Sequence, residues 1–135
     1  MNALLDTDVL IDHLRGETAA RSLLLDLAAA EQPPAISVIT VAEIEAGLRE
    51  AERPQVEALL SSLQTLSVDA GIARQAGRYR MAFGQSHGVL LPDALIAATA
   101  LQHEKTLYTL NRKHYPMADL EVTVPYQKTE QSSKP

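Results

Sequence analysis

The segment LLDTDVLIDHLRG, residues 4–16, decides how the rest of the chain is read. Two leucines give way to Asp6, and Asp8 and Asp12 follow in a helical pattern that Gly16 interrupts. The segment predicts a short buried strand, "NALLDT", that feeds a helix over "TDVLIDHLR", with Gly16 at the C′ position. An acid at such a junction has two readings. It can cap the helix or complement its macrodipole. It can also present a carboxylate to a metal or a phosphate beyond the strand end.

The same rhythm recurs outward from this point. A second helix is expected from about Glu17 to Ala30, with Ala20, Leu23, Leu24 and Leu27 at helical spacing. "EQPP" breaks it and "AIS" begins a second strand. A third helix, "VITVAEIEAGLREAE", is predicted to end at Pro54, and a fourth to run from there to about Gln64. "TLSV" reads as a strand, and Asp69 as the cap of the long helix "AGIARQAGRYRMAFGQSHG". "PDALIAATALQHEK" is apolar almost all round, which predicts a helix buried against a sheet. "TLYTL" reads as a strand, "NRKHY" as a turn or short helix, and "LEVTVPY" as a last alternating strand. Short strands alternating with helices imply an α/β fold, a short parallel sheet with helices on both faces. We expect one domain over residues 1–127 and a polar, disordered tail over residues 128–135.

Composition narrows the function. A chain of 135 residues suffices for one domain with a real core. It has no Cys, which excludes a disulfide framework, a thiol nucleophile and a thiolate metal site. No charged-then-apolar leader and no bilayer-length apolar run are visible, so a cytoplasmic protein without membrane contact is expected. The net charge of −5 argues against nucleic acid as a partner, unless acids cluster around cations. Two divalent ions would bring that charge to about −1.

In a parallel α/β sheet, ligands bind beyond the carboxyl ends of the strands. Asp6, Asp93 and Asn111 fall at or near such ends, and Glu43 lies on the helix after the second strand. Hard oxygen donors of this kind suit Mg²⁺ or Mn²⁺ and not zinc. Each residue also has a structural reading. Asp6, Asp8 and Asp93 are natural helix-start acids, and Asn111 is a natural turn residue. On a helical wheel Val41, Ile44 and Leu48 form the apolar stripe, with Glu45 nearer to it than Glu43. The wheel does not choose between the two glutamates.

Four segments together, "LLDTDVLIDHLRG", "ISVITVAEIEAG", "LPDALIAATA" and "LYTLNRKHYPM", resemble the PIN-domain ribonucleases, and among them the VapC-like toxins of toxin–antitoxin pairs. Their order and spacing cover nearly the whole chain. The resemblance implies a Mg²⁺- or Mn²⁺-dependent endoribonuclease that leaves a 5′-phosphate and a 3′-hydroxyl. It implies that Asp6, Glu43 and Asp93 hold metal, which chooses Glu43 over Glu45. It places Asn111 at a fourth position that is Asp in many members, with Asp8 as an outer partner. It further implies a homodimer and a small antitoxin seated on a groove that the first two helices help form, where Leu23, Leu24 and Leu27 are candidates.

Arg15, Arg112 and Lys113 are candidate phosphate contacts, weighed against ordinary solvated cations. Arg74 and Arg78 share one helix face and read more simply as solvated. The four histidines lack paired ligand spacing, and none is assigned to metal. Tyr108 and Tyr115 are expected in packing rather than on a base. Two other functions stay in view. "DTDVL" has the Asp-x-Asp start of haloacid-dehalogenase phosphotransferases, but Leu10 stands where Thr or Val is wanted. A catalytically idle PIN-like binding module would retain the fold without cleaving RNA.

Overall fold

The computed structural model describes residues 2–30 and 33–127, so the expected tail from Lys128 lies outside the described residues. The strands are very short: β1 (Ala3–Leu5), β2 (Ala35–Ser37), β3 (Gln64–Leu66), β4 (Thr106–Tyr108) and β5 (Val122–Thr123), with β1 and β2 fully buried. They form one sheet in the order β3-β2-β1-β4-β5, and every pairing is parallel. Between them run α1 (Thr7–Leu14), α2 (Thr18–Ala28), α3 (Val38–Gly47), α4 (Arg53–Ser61), α5 (Ala70–His87) and α6 (Leu91–Gln102).

Strand alternation divides the core into two layers. Leu4 and Ala35 face α5 and α6, where Ile72, Ala76, Ile96 and Ala97 are buried. Ala3, Leu5 and Ile36 face the other way, onto Leu10, Ile44, Val56 and Leu59 of α1, α3 and α4. Helices therefore cover both faces, as the sequence pattern predicts. The alanines of α6 let it lie close to the sheet, and six of its twelve residues are buried. Asp69 caps α5 by accepting the Ile72 N–H at 2.8 Å. Gly16 and Gly88 take left-handed φ values of 86° and 65° where α1 and α5 stop.

Several boundaries differ from the sequence reading: α4 ends at Ser61 and Gln64 already opens β3, which stops at Leu66 short of Val68, and α6 ends at Gln102. The third helix does not reach Pro54. It stops at Gly47, Leu48 is extended, and Glu50–Glu52 form a 3₁₀ turn. Pro54 instead lies in the first turn of α4, where its missing N–H has no intrahelical partner to lose. Arg53 ties the junction, reaching Glu45 at 2.8 Å and Glu50 at 3.0 Å. The last strand shrinks from "LEVTVPY" to Val122–Thr123, because an edge strand has one neighbour and Pro125 has no N–H to pair. The strand "TLYTL" ends at Tyr108, so Thr109 is already in the turn beyond.

β1 is central. From it the chain winds outward through β2 and β3, then returns to its other side through β4. The crevice between the carboxyl ends of β1 and β4 is thus the switch point where such sheets bind ligands. Among the described residues no helix is long and apolar enough to cross a membrane.

Candidate active site

Asp6 stands at that switch point, 7% exposed. Its Oδ1 accepts the Thr7 N–H at 2.8 Å and so caps α1. The same side chain also performs the other role. Its Oδ2 accepts the Thr109 hydroxyl at 2.8 Å and the Tyr115 hydroxyl at 2.9 Å. Tyr115, itself buried, lies 3.4 Å from Asp93 Oδ1, so one phenol joins the two carboxylates. Asp93 occupies the first turn of α6, which Pro92 starts, and the positive end of that helix faces the crevice.

Glu43 reaches the same place from α3. Its Oε1 accepts the Thr7 hydroxyl at 2.7 Å, and the Thr40 hydroxyl lies 2.9 Å from that of Thr7. Glu45 points elsewhere and pairs with Arg53. Tertiary contacts thus separate the two glutamates that the helical wheel leaves equivalent.

Asn111 does not join Asp6 and Asp93. Its amide donates to Asp8 Oδ2 at 3.1 Å, and the Leu110 N–H donates to the same oxygen at 3.0 Å. Asp8 Oδ1 is buried without a hydrogen bond among the described residues. From the 110–115 segment, His114 faces Asp93 beside Tyr115, with Nδ1 3.6 Å from Asp93 Oδ2. Arg112 donates to the Val122 carbonyl at 3.0 Å and so braces the segment against β5. Lys113 is exposed beside it. Arg15, at the end of α1, lines a cleft that also includes Glu43.

The cluster is short of positive charge. No lysine or arginine among the described residues forms an ion pair with Asp6, Asp8, Glu43 or Asp93. Burial raises the Asp6 carboxyl above its usual range, against the lowering effect of its hydrogen bonds to Thr109, Tyr115 and Thr7. Burial and then the Asp6 charge push Asp8 up to about 7. Burial, the Asp6 charge and Glu43 raise Asp93, while His114 opposes them. Tyr115 is raised by burial and by the adjoining carboxylates, and it remains a hydroxyl donor.

Oxygen donors crowded at this cost have the chemistry that a hard divalent cation relieves. As placed, no three Asp, Glu or His side chains among the described residues enclose an ion. The hydroxyls of Thr7, Thr109 and Tyr115 hold the carboxylates instead. Sequence reasoning missed Thr7, Thr109, His114 and Tyr115 as site residues. Their signal was only their nearness to strand ends, which hydroxyl and imidazole side chains share with many turns.

Residues 3–120 match the PIN domain family. This chain belongs to that family. It is 46% identical over 115 residues to Ribonuclease VapC10 of Mycobacterium tuberculosis, an alignment covering 84% of this chain and 86% of that protein. Ribonuclease VapC19 of the same organism is 41% identical, with 84% and 92% covered. A toxin–antitoxin complex from Klebsiella pneumoniae contains a chain of the same fold, with a TM-score of 0.75 and 31% identity, covering 94% of this chain and all of that chain. Against this family background the Asp-x-Asp start supplies the Asp6 cap of α1 and is not a phosphotransferase signature.

Proposed function

We infer that this PIN domain is an endoribonuclease and the toxin of a toxin–antitoxin pair, with divalent cation held by Asp6, Glu43 and Asp93. The observation that carries the reading is the cation-poor carboxylate set around buried Asp6 at the switch point, in a chain 46% identical to a named ribonuclease. A Mg²⁺ or Mn²⁺ ion there supplies charge for a scissile phosphate and makes water more acidic. The protein does the positioning. Thr7 N–H and Thr109 orient Asp6, the Thr7 hydroxyl orients Glu43, and Tyr115 spaces Asp6 from Asp93. Burial keeps competing water away from Asp6, whereas Glu43 is exposed and meets the substrate side. His114 Nδ1 is the protonatable nitrogen beside Asp93. Asn111 serves indirectly, by holding Asp8 and through it the segment that carries Thr109 and Tyr115.

The antitoxin seat we assign to the apolar groove of about 360 Å³ between α2 and α4, which includes Leu24, Leu25 and Leu63. Leu25 is 61% exposed there, whereas Leu24 and Leu27 already pack onto the core. A relative solved as a toxin–antitoxin complex supports such a partner. The test is direct. Purified protein should cleave RNA with Mg²⁺ or Mn²⁺, lose activity in EDTA, and leave defined ends on sequencing after induced expression. Intact RNA under every metal condition would establish the idle binding module instead.

A further inference from the structure

A second cleft, of about 370 Å³, opens beside the acid cluster between α1, α3 and the turn that joins α3 to α4. Buried Ile44 and Val56 and half-buried Leu48 give it an apolar floor, and exposed Arg15 and Arg49 stand at its edge. It ends on Glu43, so it is continuous with the candidate active site. Neither arginine forms an ion pair among the described residues, unlike Arg53, which has Glu45, Glu50 and Glu57 around it. Glu43 and Glu52 line the same cleft, but neither arginine side chain is ion-paired with them, so both guanidinium groups stay open to an outside anion.

Both arginines sit on braced turns. Arg15 closes α1 just before the left-handed Gly16. Arg49 follows extended Leu48, and its N–H donates to Glu52 Oε1 at 3.0 Å. The cleft wall also contains Gly47, where an added Cβ would meet nothing within 4 Å. The absence of a side chain there leaves room that a base can enter.

We propose that this cleft is a nucleotide subsite for single-stranded RNA. The base of a residue neighbouring the scissile phosphate lies on the Ile44–Leu48–Val56 floor, and its phosphate pairs with Arg15 and Arg49. The proposal rests on the endoribonuclease reading. RNA is favoured over a peptide occupant by continuity: the cleft ends on Glu43, where the endoribonuclease reading puts the scissile phosphate, and the unpaired Arg15 and Arg49 lie within reach of the next phosphate along the strand.

The experiment is fluorescence anisotropy of a fluorescein-labelled, mixed-sequence RNA dodecamer in EDTA, where binding is read without cleavage. Arg15→Ala and Arg49→Ala should each weaken binding about five- to tenfold and lower the slope of log affinity against log salt by about 0.7, the single-strand value for one lost phosphate contact. Lys105→Ala makes the same charge change before β4, at the opposite end of the sheet, and should alter neither quantity. Gly47→Leu should weaken binding about fivefold and keep the salt slope, because it removes space and not charge. The proposal is overturned if the arginine variants match Lys105→Ala, if Gly47→Leu binds like the parent, or if the parent does not bind. It is also overturned if the variants keep RNA affinity but lose the antitoxin on co-purification, which would make the cleft a protein seat. A protein that binds as expected yet cleaves nothing with Mg²⁺ or Mn²⁺ refutes the nuclease reading and leaves the cleft standing.

Discussion

Asp6 and Asp8 are two residues apart and both are withdrawn from water, yet their surroundings differ in kind. Around Asp6 the donors facing the crevice are side-chain hydroxyls of Thr109 and Tyr115. A hydroxyl can rotate away and take another partner when a cation arrives. Around Asp8 the main donors are the Leu110 N–H and the Asn111 amide, which hold a loop in place. A backbone N–H cannot be re-aimed without moving the chain. The first corner is suited to exchange ligands and the second to hold still. An acid is assigned to chemistry by the mobility of its donors more than by its burial.

The largest test of that contrast is removal of charge at the exchangeable corner. Asp6→Asn and Asp93→Asn should each lower RNA cleavage by on the order of 10²–10³-fold or more, with unchanged far-ultraviolet circular dichroism. Near-normal turnover by Asp6→Asn would erase the distinction.

Next in size is a pH effect on the metal-free protein. Asp8 ionises at about 7 when folded and near 3.8 when unfolded. Between those values the folded state holds an extra proton, so stability falls as pH rises through the window and levels off above about 7. Below the unfolded value the contribution vanishes. Asp6 and Asp93 shift in the same direction. The Asp8 contribution is at most about 4 kcal/mol, and less where solvent screens it. Thermal melts in EDTA should therefore run higher at pH 5 than at pH 8, and Asp8→Asn should flatten the difference. Mg²⁺ should restore more stability at pH 8 than at pH 6, since protons compete with it for the carboxylates.

A smaller effect belongs to the fixed corner. At pH 5, where folded Asp8 is still protonated, Asp8→Ala strips partners from the Leu110 N–H and the Asn111 amide and should cost about 1–3 kcal/mol in denaturant unfolding. Turnover per folded molecule should stay within about tenfold, against the far larger loss for Asp6→Asn. Asn111→Asp should also destabilise, because it sets a second carboxylate against Asp8. If it tightened metal binding in a calorimetric titration instead, Asn111 would belong with Asp6. The smallest effect is the control on α3: Glu45→Gln should keep cleavage activity and shift the melting temperature only slightly, whereas Glu43→Gln should lose activity. The reverse result would mean that α3 is rotated relative to the site.

Much of this was legible in the residues themselves. Apolar pairs bounded by turn signals and separated by periodic helices require a parallel sheet covered on both faces, because only that arrangement buries both kinds of element. The run of alanines in α6 and the caps at Asp69 and Gly16 are local, so the local sequence determines them. The end of α3 was less legible, since Pro54 serves equally to stop one helix or start the next, and only the Arg53 contacts across the junction resolve it. The site lay further from reach. That Asp6 joins Thr109 and Tyr115, that Glu43 and not Glu45 meets Thr7, and that His114 and Tyr115 rather than Asn111 face Asp6 and Asp93 are all facts about residues about 20 to 110 positions apart. Periodicity reports which side of a helix is apolar, but not which polar side chain finds a partner across the sheet. That choice is made only when β1 and β4 pair and bring the ends of distant segments into one crevice.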